Sequence, residues 1–111
     1  MEIRRRGDVV VVAPQKDLDG QHETLELGRQ VEEALARGDR SLIVDLSGVK
    51  YANSSGLGAL VAAHLKTREL GGELYLTGVS KRILNILDIT RLAGVFRMAE
   101  TEDDACSALQ K

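Results

Sequence analysis

Short apolar runs alternate with helical repeats along this chain, and that alternation leaves few folds open to it. Val9-Val10-Val11-Val12 is a run of four β-branched residues, the composition of a buried central strand. Leu27, Val31 and Leu35 then recur every four residues, the stripe of a helix packed on one side. Ser41 to Leu46 (S-L-I-V-D-L) is again short, mostly apolar and bounded by polar residues, as a parallel strand covered on both faces should be. A second helical pattern, with Leu57, Leu60, Val61, His64 and Leu65 on one face, runs to Leu70 and is closed by Gly71-Gly72. Glu73 to Thr77 (E-L-Y-L-T) reads as a strand, Ser80 caps a helix carrying Ile83, Leu84 and Leu87, Phe96 to Met98 reads as a short last strand, and Glu102 to Leu109 as a terminal helix. The order ββαβαβαβα predicts an α/β fold, a mixed sheet of four to five strands with four helices, built through right-handed crossovers.

The chain ends supply further expectations. Gly7-Asp8 suits a two-residue type II′ turn between Glu2–Arg6 and the valine run, so the N-terminus reads as a β-hairpin. Arg4, Arg5 and Arg6 in its first arm are the charged residues of an edge strand that resists pairing with other chains. Pro14 ends the valine strand, and Asp19 is expected to N-cap the first helix, which runs to about Arg37 with Gly38 at its end. Gly28 inside that helix costs up to about 1 kcal/mol relative to Ala and marks either close packing or a tolerated weakness.

Composition narrows the function. The chain has 111 residues, the size of one domain spanning 1–111, with 43% apolar and 29% charged residues. Fifteen Lys and Arg against seventeen Asp and Glu give a net charge of −2, which argues against a phosphate-neutralising nucleic-acid surface. The longest uncharged apolar run, Gly56 to Ala63, is too short to span a membrane, and no signal-peptide pattern is read, so a cytoplasmic location is expected. With one cysteine, Cys106, and two histidines, His22 and His64, no disulfide, metal site or cofactor is expected.

The informative segment is Asn53-Ser54-Ser55-Gly56-Leu57-Gly58, where two hydroxyls sit at the start of a helix among glycines. A helix N-terminus offers unpaired N–H groups and partial positive charge, and so accommodates an anion, including a phosphate carried by Ser54 or Ser55. Spacing alone favours a simple cap at Asn53 or Ser54, with Gly56 and Gly58 only allowing tight packing of helix on sheet. No Lys-Ser or Lys-Thr follows the glycines, so this is not a Walker A loop, and it does not match the G-x-S-x-G turn of hydrolases. A base for a serine nucleophile is missing too: along the helix His64 lies roughly 13 Å from Ser55 at 1.5 Å per residue. His64 is expected to be a packed, hydrogen-bonded residue, Cys106 a small buried one, and Asp45 a cap for the turn that follows it.

Leu42-Ile43-Val44-Asp45-Leu46-Ser47, Tyr51 to Gly58 (Y-A-N-S-S-G-L-G) and Gly71-Gly72-Glu73-Leu74, together with Ile83 to Leu87, Phe96 and Thr101 to Ala105, resemble the STAS domain of bacterial anti-sigma-factor antagonists. The resemblance implies a switch in which the second serine of a D-S-S-G motif, Ser55 here, is phosphorylated by an anti-sigma factor that is itself a serine kinase. It implies that the unphosphorylated antagonist binds this kinase and frees the sigma factor, that the phosphorylated form lets go, and that a phosphatase resets it. Such a protein is a substrate and a binder, not an enzyme. The alternative role within the resemblance is an unphosphorylated interaction subunit of a transporter ATPase, for example in lipid transport, or of a signalling scaffold.

Two positions depart from that pattern: Asn53 replaces the aspartate before the serines, and Lys16 replaces the glycine of a G-x-L-D loop, here Lys16-Asp17-Leu18-Asp19. Loops following parallel strands gather at one sheet edge. A partner surface is therefore expected to run from Asp17 and Asp19 past Ser55, with Leu18 or Leu57 as its exposed apolar member. Reversing the charge of Asp17 or truncating Leu18 should then cost binding without lowering the melting temperature, whereas Val31→Ala should lower it.

Overall fold

The computed structural model describes residues 1–110. Its elements are β1 (Glu2–Arg6), β2 (Val9–Ala13), α1 (His22–Ala36), β3 (Ser41–Asp45), α2 (Ser54–Glu69), β4 (Glu73–Thr77), α3 (Lys81–Ile89), β5 (Arg97–Met98) and α4 (Glu102–Leu109). The five strands form one sheet in the order β1-β2-β3-β4-β5, with β1 antiparallel to β2 and every other pair parallel. This is the expected mixed sheet with four helices. The hairpin pairs Arg6 with Val9 across a two-residue turn in which Gly7 takes a positive φ of 62°, as a type II′ turn requires.

Strand order that simply increases from β2 to β5, joined by crossovers of one hand, places every crossover helix on the same side of the sheet. Accordingly Val10, Val12, Leu42, Val44, Leu74 and Leu76 pack with Leu27 and Val31 of α1, Leu57 and Leu60 of α2, and Ile83 and Leu87 of α3. The opposite face is covered by α4, whose Ala105 and Cys106 pack on Val9, Val11 and Ile43. Both faces of β2 and β3 are thus buried, which is why their sequences are continuous apolar runs rather than alternating ones.

The arginine strand is resolved by the two-residue period of β1. Arg4 and Arg6 lie on the α4 face, where both guanidinium groups reach Glu102 at 2.6 and 3.0 Å and Arg4 also meets Asp45 at 3.2 Å. Arg5 points to the other face and pairs with Asp39 at 3.1 Å. The three charges of this edge strand are therefore all partnered within the chain.

Two local expectations are corrected, and one open alternative is decided. Asp19 does not cap α1: its carboxylate accepts from the Gln21 N–H at 3.1 Å in a tight turn, and Gln21 holds the cap position without a side-chain cap bond. Leu65 is 51% exposed rather than buried with its helix face. The 3.6-residue period marks the side of a helix but not how far a neighbouring element extends to cover its rim, and here nothing covers Leu65. Gly28 is not a close contact, since a Cβ there would meet no atom within 4 Å.

His64 is buried with its ring edge-on to Phe96 at 5.7 Å between centroids, and its Nδ1 has no hydrogen-bond partner, against the expectation of a hydrogen-bonded residue. Burial lowers its pKa first, the neighbouring Arg68 and Arg97 add to that, and Glu73 opposes it. The folded protein therefore binds a proton at His64 less readily than the unfolded chain does, whose imidazole titrates near about 6.5. Stability from this group is complete above that value and is lost as pH falls below it. The melting temperature is expected to fall as pH drops below about 6.5, and His64→Leu is expected to flatten that fall; parallel curves for the two proteins would exclude His64 as its source.

Candidate functional site

The C-terminal ends of β2, β3 and β4 lie along one edge of the sheet, and the loops leaving β2 and β3 are stitched together there. Leu18 and Ala52 form an isolated parallel bridge: the Leu18 N–H donates to the Tyr51 carbonyl and the Asn53 N–H to the Leu18 carbonyl, both at 3.1 Å. The Asp17 carboxylate accepts from the backbone N–H groups of Lys50 and Tyr51 at 2.9 and 3.1 Å. Segments more than thirty residues apart in sequence thereby form one rigid ledge ahead of α2.

Asn53 is the N-cap of α2. Its Oδ1 accepts from the Gly56 N–H at 3.0 Å, and its carbonyl accepts from the Leu57 N–H at 2.9 Å. The N–H groups of Ser54 and Ser55 remain the free donors of this first turn, where the helix dipole is positive. Ser54 and Ser55 are both exposed, and an open groove of about 600 Å³ between α1 and α2, lined by Gly20, Thr24, Gly28, Ser55 and Ala59, begins at Ser55.

The two glycines of the motif have different reasons. A Cβ on Gly56 would lie 2.0 Å from the Leu18 carbonyl oxygen, so the helix can approach the ledge only with glycine there. A Cβ on Gly58 would meet nothing within 4 Å, and Gly58 is exposed; tight packing is not its role. The expectation of an exposed apolar residue at Leu18 or Leu57 also falls, because both are buried: Leu18 seals the gap under the ledge and Leu57 turns into the core with Leu60.

The structure brings Asp17, Asp19, Asn53, Ser54 and Ser55 together at one edge, as the strand order led one to expect. Sequence reasoning did not find Gly20, Thr24 and Glu23. Gly20 has a φ of +89° and lies against Ser55; Thr24, buried, accepts from the Gly20 N–H at 2.9 Å; Glu23, buried, accepts from the Gln15 N–H at 2.6 Å. Nothing in the local pattern marks these three, since Thr24 and Glu23 act on backbone groups, and Gly20 on the Ser55 side chain, that only the folded loop brings to them. Among the described residues no group of three or more His, Cys, Asp or Glu is placed to hold a metal ion, and no helix is long and apolar enough to cross a membrane.

The site thus sits on a five-stranded sheet with three helices on one face and one on the other, with a serine pair opening α2 at the sheet edge. The chain belongs to the STAS domain family, which it matches over residues 1–105. It is 34% identical over 82 residues to the anti-sigma-B factor antagonist of Listeria monocytogenes, covering 74% of this chain and 67% of that relative. It is 26% identical over 111 residues to the anti-sigma F factor antagonist of Paenibacillus polymyxa, covering 98% and 91%. In structure it is similar to an anti-sigma-factor antagonist (STAS) domain protein of Planctomyces limnophilus, with a TM-score of 0.84, 22% identity and coverage of 99% and 97%. The fold is also that of the anti-sigma factor antagonist SpoIIAA in its unphosphorylated form, at a TM-score of 0.77, 17% identity and coverage of 98% and 96%.

Proposed function

We propose that this protein is an anti-sigma factor antagonist switched at Ser55. Its unphosphorylated form binds an anti-sigma factor serine kinase and so releases the sigma factor; phosphorylation of Ser55 ends the complex, and a serine phosphatase restores it. The observation that carries this reading is the position of Ser55, exposed as the second residue of α2 at the open end of the interhelical groove, with free helix N–H groups beside it. The names of its relatives support the same reading. A phosphate adds about −1.5 to −2 charge, which a helix N-terminus tolerates, so the fold survives while a partner surface shaped for a neutral serine does not. The surface extends to Asp17 and Asp19.

The protein acts as substrate and binder. His64, the one histidine on α2, is packed against Phe96 in the core, and Asp45 is engaged by Arg4 and by the Ser47 N–H, so neither serves as a base for Ser54 or Ser55.

Incubation with the cognate kinase and ATP followed by phosphopeptide mapping is expected to place the label on Ser55. Label that survives Ser55→Ala and vanishes with Ser54→Ala would move the site to Ser54. Titration calorimetry against the kinase should show Ser55→Ala binding as the unmodified protein does and Ser55→Asp binding at least about tenfold more weakly. Equal affinities would sink the switch, and co-purification with a transporter ATPase instead of a kinase would replace this reading with the transport one.

A further inference from the structure

The Asp19–Gly20 peptide is gripped at both ends. Its carbonyl oxygen accepts from the Asn53 side-chain Nδ2 at 2.7 Å, and its N–H donates to the Thr24 hydroxyl at 2.9 Å. Because a peptide unit is planar, fixing both ends fixes the orientation of the whole plane. The consequence falls on Ser55: Gly20, held at a φ of +89°, presents a bare Cα to it, and a Cβ there would lie 3.0 Å from the Ser55 Cβ and 3.3 Å from its Oγ. The grip joins the start of α1, through Thr24, to the cap of α2, through Asn53.

It also gives Asn53 a purpose that an aspartate could not serve. Either residue can accept from the Gly56 N–H, but only the amide has an N–H to donate to the Asp19 carbonyl. A carboxylate at that position would set an anionic oxygen against a carbonyl oxygen.

We propose that Asn53 and Thr24 are positioning residues for phosphoryl transfer to Ser55, acting together through the Asp19–Gly20 peptide to hold the bare Cα of Gly20 against the Ser55 side chain and so limit the directions its hydroxyl can take. This rests on Ser55 being the phosphoacceptor. In the transfer the Ser55 Oγ forms a bond to the γ-phosphorus of ATP, the bond to the bridging oxygen of ADP breaks, and the hydroxyl proton passes to the kinase's base. Such a reaction depends on the alignment of the attacking oxygen, and a displacement of about 1 Å is enough to slow it about a hundredfold.

The experiment is steady-state phosphorylation of the full chain by its cognate anti-sigma factor serine kinase with ATP, with hydrogen exchange of the Gly20 amide measured alongside. Thr24→Val keeps the shape of the side chain and removes the acceptor; it is expected to lower kcat by about ten- to a hundredfold, leave KM for the antagonist nearly unchanged and speed exchange of the Gly20 amide. Thr24→Ser should restore both readouts. Asn53→Asp, which keeps the helix cap, should lower kcat by a similar factor, and the double variant Thr24→Val with Asn53→Asp should be no slower than the slower single one, since both release the same peptide. Wild-type kcat in Thr24→Val, an effect confined to KM, or two losses that multiply would each overturn the proposal while leaving Ser55 as the acceptor. Absence of phosphate from Ser55 in the unaltered protein would instead overturn the functional reading, and the proposal with it.

Discussion

Gly56→Ala is expected to be among the most damaging single-atom additions this domain can receive. The new methyl group would stand 2.0 Å from the Leu18 carbonyl oxygen and 2.7 Å from its carbon, both backbone atoms. The backbone there cannot simply retreat, because Leu18 is bonded on one side to Tyr51 and on the other to Asn53. Either the bridge between the two loops breaks or α2 lifts off it, and overpacking of that kind costs on the order of 3 kcal/mol. In thermal unfolding this corresponds to a fall of roughly 10 °C or more in Tm. Gly58→Ala supplies the control: with nothing near its Cβ and an exposed helical position, it should raise stability by up to about 1 kcal/mol. Similar melting temperatures for the two variants would show that the ledge yields freely, against the hydrogen bonding seen here.

Leu18→Ala is expected to cost about 2 to 5 kcal/mol of stability, the range for removing a large, fully buried aliphatic side chain. The loop sequence K-D-L-D led to the opposite expectation, that Leu18 is a surface residue whose loss spares the melting temperature. Its polar neighbours disguise it, because the loop bends so that Leu18 bridges to Ala52 and turns inward while Asp17 turns to the backbone of Lys50 and Tyr51. Charge reversal at Asp17 would unpair those two N–H groups, so it too is expected to lower the melting temperature as well as affect binding. Urea unfolding of Leu18→Ala and Asp17→Lys checks both; an unchanged midpoint for Leu18→Ala would place its side chain outside the core.

The elements themselves were legible. A run such as Val9 to Val12 cannot be left in water, and the leucine spacing of α1 offers one side to a sheet, so element type follows from local pattern. Ser80 and Thr101 cap their helices through their own hydroxyls, accepting from Ile83 and Asp104 N–H groups at 3.1 and 3.0 Å, a bond that needs no distant residue. The start of α1 was misread for the converse reason. Asp19 is as good a cap by type as Ser80, but Gly20 turns the chain into the left-handed region and moves the helix start two residues on.

Local pattern, then, determined the elements, their order and the serine pair at a helix start, because hydrophobic period and capping chemistry act within a few residues along the chain. Only the tertiary structure decided what that serine pair faces. Whether Leu18 is surface or core, whether Asn53 merely caps or also holds the Asp19–Gly20 peptide, and that the three arginines of the edge strand meet Glu102, Asp45 and Asp39 all depend on contacts between segments tens of residues apart. Backbone groups look alike at every position in a sequence; they become specific partners only when folding sets one loop against another.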